Sequence, residues 1–109
     1  MKITTFSDAY NALPDNHPAK VAYDMLTSFE LSKDVLAYLK LRIIVSAFNG
    51  RKRTTSGCYY EAHYRFEGDE MITMFPRISS NRLLGYVNQR DALYAANTFK
   101  DLYRDYHLG

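Results

Sequence analysis

Tryptophan is absent from this chain, and cysteine occurs once. A lone cysteine, Cys58, excludes an internal disulfide. Proline occurs three times, as Pro14, Pro18 and Pro76, and each reads as the boundary of an element. No apolar run approaches the roughly 18 residues that a membrane span needs. The start, Met1-Lys2-Ile3-Thr4-Thr5, has no apolar core of a secretory leader, so a cytoplasmic protein without membrane contact is expected. Charge of one sign is lacking too. Fourteen Lys and Arg face twelve Asp and Glu, and a net charge of +2 does not by itself mark a nucleic-acid binder. Hydrolase elbow, P-loop, dinucleotide fingerprint and zinc pattern are all missing, as are internal repeats and low-complexity tracts. Neither an enzyme nor a cofactor is expected.

What is present is an aromatic, mixed-polarity chain of 109 residues. That length suits one domain, 1–109, whose core buries roughly two-thirds of the unfolded chain's surface. Ten Tyr and six Phe provide rigid rings for a core or a contact surface. The charge is unevenly spread. Residues 1–34 hold three Lys against five acidic residues, net −2; residues 35–90 hold nine basic against four acidic residues, net +5.

Residues 58–67 alternate apolar and polar, the period of a half-buried strand. Gly68-Asp69 suits a two-residue hairpin turn, and Glu70 to Pro76 runs back. The pairs are then Phe66 with Met71, Tyr64 with Thr73 and Ala62 with Phe75, and Cys58 is a small buried hydrophobe. Ahead of the hairpin, Thr5 to Leu13 predicts a short helix stopped by Pro14. A second helix starts at Asn16 or His17, with Pro18 in its first turn, and runs to about Glu30. Val21, Met25 and Phe29 are its expected inward stripe, with Lys20 and Asp24 outward. Residues 37–48 alternate as Leu39, Leu41, Ile43, Val45 and Ala47 against Lys40, Arg42 and Ser46, and the β-branched run Ile43-Ile44-Val45 favours a strand. Arg82 to Val87 is a fourth short strand or an irregular return. Asn88 caps a last helix along Leu93, Ala96, Phe99 and Tyr106. The expected architecture is α+β: a three- or four-stranded antiparallel meander sheet with two N-terminal helices and one long C-terminal helix packed on one face.

In that arrangement the second sheet face holds Tyr38, Lys40, Arg42, Ile44, Tyr59, Glu61, His63, Arg65, Ile72 and Met74. Arginines mixed with exposed rings and aliphatics are the composition of a partner interface. A second candidate is the basic tip Arg51, Lys52 and Arg53, followed by Thr54, with Tyr59 near enough to stack on a base. Glu61 and His63 lack a third ligand for a metal. The order helix, three strands, helix resembles a double-stranded-RNA-binding domain, whose last helix opens with lysines where this chain has Asn88-Gln89-Arg90-Asp91. It is also similar to small DNA-binding domains that lay a sheet in the major groove. Two classes follow. One is a stand-alone protein-binding inhibitor or modulator of a larger protein or nucleoprotein complex, of the kind phage-like accessory and anti-defence proteins provide, with a homo-oligomer open. The other is a small DNA- or RNA-binding protein. The balanced charge favours the first.

Overall fold

Helix starts follow the local chemistry of the chain closely. The computed structural model describes residues 2–52, 54 and 56–109. Helix α1 spans Phe6–Ala12. The Thr5 hydroxyl accepts from the Asp8 N–H and the Asp8 carboxylate accepts from the Thr5 N–H, both at 3.1 Å, so two end donors are satisfied reciprocally. Helix α2, Pro18–Leu26, starts at His17, whose Nδ1 accepts from the Ala19 N–H at 3.1 Å. Pro18 occupies the first turn, where its missing N–H costs nothing.

The face of α2 that turns inward is not the expected one. Ala19 and Lys20 are buried and Tyr23 is half-buried, while Val21, Met25 and Phe29 are exposed. Phe6, Tyr10 and Tyr23 bring α1 and α2 together with ring centroids 5.2 to 6.0 Å apart. Lys20 does not point outward. Its ammonium donates to the Leu13 carbonyl at 3.2 Å, pairs with Asp15 at 3.1 Å and lies 4.2 Å from the centre of the Tyr10 ring. Those partners satisfy a cation that would otherwise be costly to bury. Asp24 instead accepts from the Tyr10 hydroxyl at 2.8 Å.

The segment expected as a strand over 37–48 is helix α3, Lys33–Asn49. Leu39, Leu41, Ile43, Ile44 and Val45 are all buried. A helix packed on several sides is apolar around most of its circumference, and such a run imitates alternation. Here the tertiary packing outweighs the β-branched preference. Helices α1 and α2 and the chain's last helix, Lys100–Leu108, all pack on α3.

The hairpin forms as β1, Tyr59–Glu67, against β2, Glu70–Ser79. Gly68 has φ +59°, the left-handed value that the first position of a II′ turn requires. Phe66 pairs with Met71 and Tyr64 with Thr73, as the turn dictates. Past His63 the register slips by one, because Glu61 pairs with Arg77. Ala62 therefore faces both Phe75 and Pro76, a bulge, instead of pairing with Phe75 alone. Proline has no N–H for the ladder, and a bulge is where a strand can spare one. The bulge leaves Phe75 exposed and Pro76 buried, and β2 continues to Ser79. Cys58 lies outside the strand and is exposed.

Among the described residues the sheet has two strands, not three or four, and the helix, three strands, helix order is not formed there. The fold is α+β, with five helices among the described residues. The return segment contributes one bridge: Tyr60 and Tyr86 exchange backbone hydrogen bonds at 2.7 and 2.8 Å. The last helix is two, α4 (Gln89–Thr98) and α5 (Lys100–Leu108), broken at Phe99 with φ −109° and ψ 32°. Helix α4 packs its alanines, Ala92, Ala95 and Ala96, on the hairpin side, and α5 packs on α3. The bend lets one amphipathic stretch serve both neighbours. Between them, the Tyr64 hydroxyl donates to the Ala96 carbonyl at 2.7 Å, and the Tyr86 and Tyr103 hydroxyls bond at 2.9 Å. Burial pushes all three phenols well above their ordinary range.

Candidate functional site

The residues expected to share one sheet face fall into two places. Tyr38, Lys40, Arg42 and Ile44 lie on α3. Tyr38 stacks on Tyr106 of α5 with centroids 6.1 Å apart. The Lys40 ammonium sits 5.4 Å from the centre of the Phe6 ring, and Ile44 is fully buried. Arg42 is half-buried, close enough to His17 for its charge to be felt there. The hairpin members do come together. Tyr59, Glu61, His63 and Arg65 alternate along β1, with Ile72 opposite Arg65 and Met74 opposite His63. The Arg65 guanidinium pairs with Glu67 of its own strand at 2.9 Å, an exposed contact worth at most about 1 kcal/mol.

Part of the basic tip belongs to a recess. Arg51 and Lys52 are exposed at the end of α3, and Thr54 shares a 3.1 Å hydroxyl contact with Ser56. Arg53 lies outside the described residues. Lys52 and Tyr59 line a cleft of about 270 Å³ together with His17, Val45, Ser46, Asn49, Gly50, Arg82 and Leu83. Four separate stretches therefore meet there: the start of α2, the last turns of α3, the first residue of β1 and the 82–83 turn.

Asn49 ties that junction. Its side-chain NH2 donates to the Gly85 carbonyl and its Oδ1 accepts from the Val87 N–H, each at 3.0 Å. The amide thus satisfies the backbone on either side of Tyr86, as a neighbouring strand would. Gly85 is needed because a Cβ there would overlap the Asn81 carbonyl and the Tyr59 Cβ. The close approach seats Tyr59 against the turn.

The charged side chains lining the cleft are cationic. Lys52 and Arg82 line it, and no carboxylate does. His17 adds no fixed charge. Burial, and then the Arg42 guanidinium, hold its imidazole below the usual histidine range. Its Nδ1 is already occupied as the helix cap, which places the neutral ring's proton on Nε2. The last carbonyls of α3, which would repel an anion, are partly quenched, because Ser46 O accepts from Gly50 N and Asn49 O from Lys52 N. Sequence reasoning found Lys52 and Tyr59 but not Arg82, Asn49 or His17 as their neighbours. Residues so distant in the chain give no periodic signal of proximity.

A second surface is apolar. Val21, Met25 and Phe29 recur at four-residue spacing, with 40, 66 and 69% of their surface exposed. Leu26 is exposed beside them. A groove of about 230 Å³ adjoins this ridge, lined by Tyr23, Thr27, Phe29, Leu31, Leu36 and Lys40. Tyr23, Thr27 and Lys40 give it polar surface beside the apolar surface of Phe29, Leu31 and Leu36.

Among the described residues no group of three or more His, Cys, Asp or Glu is placed to hold a metal ion. No helix among them is long and apolar enough to cross a membrane. Compared with protein families, curated proteins and solved structures, the chain matches none.

Proposed function

We propose that this chain is a non-catalytic protein-binding module that attaches to a larger protein or nucleoprotein complex through α2 and modulates or inhibits it there. One observation carries the reading. The apolar stripe of α2, followed by Phe29 just past its end, stands in solvent beside a groove of mixed polarity. Exposed apolar side chains scattered singly are ordinary, but a helical stripe of them next to a groove is the arrangement by which a helix docks on a partner. Phe29 and Met25 are the anchors, since a large ring and a flexible thioether bury much area at modest entropic cost. The hairpin row Tyr59, Glu61, His63, Arg65, Ile72 and Met74 is the alternative contact face.

Substitution separates the two faces. Met25→Glu with Phe29→Glu places charges where a partner would need apolar contact, at positions too exposed to matter for folding. Cross-linking and co-purification from native extract should retain the partner with wild-type protein and with Arg65→Glu/Met74→Glu, and lose it with the α2 pair. Retention by the α2 pair would remove this reading.

A further inference from the structure

The α2 stripe leaves the cleft at the end of α3 unexplained, and its chemistry points to a different ligand. We propose that the cleft binds single-stranded nucleic acid, with Lys52 and Arg82 on one phosphate and an adjoining base stacked on Tyr59.

Three observations carry this. First, the charged side chains of the lining are two cations with no carboxylate beside them, a balance that favours an anion. Arg82 makes no ion pair within 4.0 Å among the described residues. Arg51 adjoins Lys52 in the chain and Arg42 lies near His17, so the positive field extends beyond the lining. Second, Tyr59 is held in place. It stands at the first position of β1, paired across to Ser79, and its Cβ abuts Gly85. A ring already seated loses little freedom when a base stacks on it. Third, the site is a recess of about 270 Å³, comparable to one nucleotide unit. Duplex readers push a helix or ribbon into a groove, whereas a concave site accepts a base splayed from a single strand.

The test is fluorescence anisotropy of full-length protein with a labelled eight-nucleotide oligothymidylate across a salt series. Wild type should bind at low salt and weaken as salt rises. For single strands each phosphate contact contributes about 0.7 to the log–log slope. Lys52→Ala/Arg82→Ala removes that one phosphate contact and should therefore flatten it by about 0.7, and Arg82→Glu should weaken binding about tenfold or more. Stacking is read separately, with a strand carrying abasic sites. Wild type should bind it about tenfold less well, and Tyr59→Leu should erase that difference. Absence of binding at low salt would overturn the proposal. Equal loss from Arg65→Glu on the hairpin would also overturn it, since attraction would then be diffuse. Thymidine monophosphate bound as tightly as the oligonucleotide would assign the cleft to free nucleotides and not to a strand. Thermal unfolding of each variant reports whether the fold survives.

Discussion

Helices α2 and α3 both carry apolar residues at helical spacing, yet only α3 buries them. On α3, Leu39 and Ile43 stand four apart and are almost wholly enclosed, with Leu41, Ile44 and Val45 equally buried beside them. On α2, Val21 and Met25 stand four apart in solvent, and small or aromatic residues, Ala19 and Tyr23, face the core. Helix α3 is central, enclosed by α1, α2 and α5, whereas α2 lies at the rim. Apolar spacing thus identifies a helix without saying which side it buries, or against what. A stripe that the fold leaves open is available for a partner.

The comparison breaks most directly through truncation. Leu41→Ala should cost about 2–5 kcal/mol, since it removes a side chain with no exposed surface and leaves a cavity. Met25→Ala should change stability by about 0.5 kcal/mol or less. Urea unfolding measures both, and a large cost at Met25 would mean that the stripe is structural. Next in size is the junction that closes the cleft over the end of α3. Asn49→Ala strands the Gly85 carbonyl and the Val87 N–H and should cost about 1–3 kcal/mol. Gly85→Ala should cost a similar amount through overlap with Asn81 and Tyr59. Amide exchange at Val87 should quicken with Asn49→Ala, and unchanged protection there would exclude the strand-like role of this side chain.

The smallest effect is a pH dependence where α2 begins. Burial first, then Arg42, lowers the His17 pKa below its ordinary 6.5. For His107, burial and Arg77 lower it and Glu61 opposes them. Below pH 6.5 the unfolded chain binds protons that the folded chain resists. Stability from these groups is therefore full above about pH 6.5 and declines as pH falls through the lowered folded values. His17→Asn keeps a side chain that caps well but does not titrate, so it should flatten the decline between pH 7 and 5. An identical profile in denaturant melts at several pH values would show that His17 contributes nothing to it.

Elements whose cause is local were legible in the chain. Thr5 ahead of α1, His17 before Pro18, Gly68-Asp69 and Asn88 each mark an end or a turn, because capping and left-handed backbone depend on residues a few positions apart. The upper part of the hairpin register followed from its turn. The α3 segment was misread because a buried helix loses the polar face that distinguishes its period from alternation. The bulge at Phe75-Pro76 was missed because one proline signals an end as readily as a kink. Of the candidate sites, the hairpin row stayed together, whereas Tyr38, Lys40, Arg42 and Ile44 went to a helix on their own.

The residue pattern by itself determined the mixed class, the starts of α1, α2 and α4 and the hairpin turn, since those are set within a few residues of chain. Tertiary structure alone decided that α2 shows its apolar stripe to solvent, that α3 is the centre, and that His17, Asn49, Tyr59 and Arg82 surround one cleft. The reason is physical: burial and proximity depend on which surfaces compete for the same core, and that competition involves every element at once.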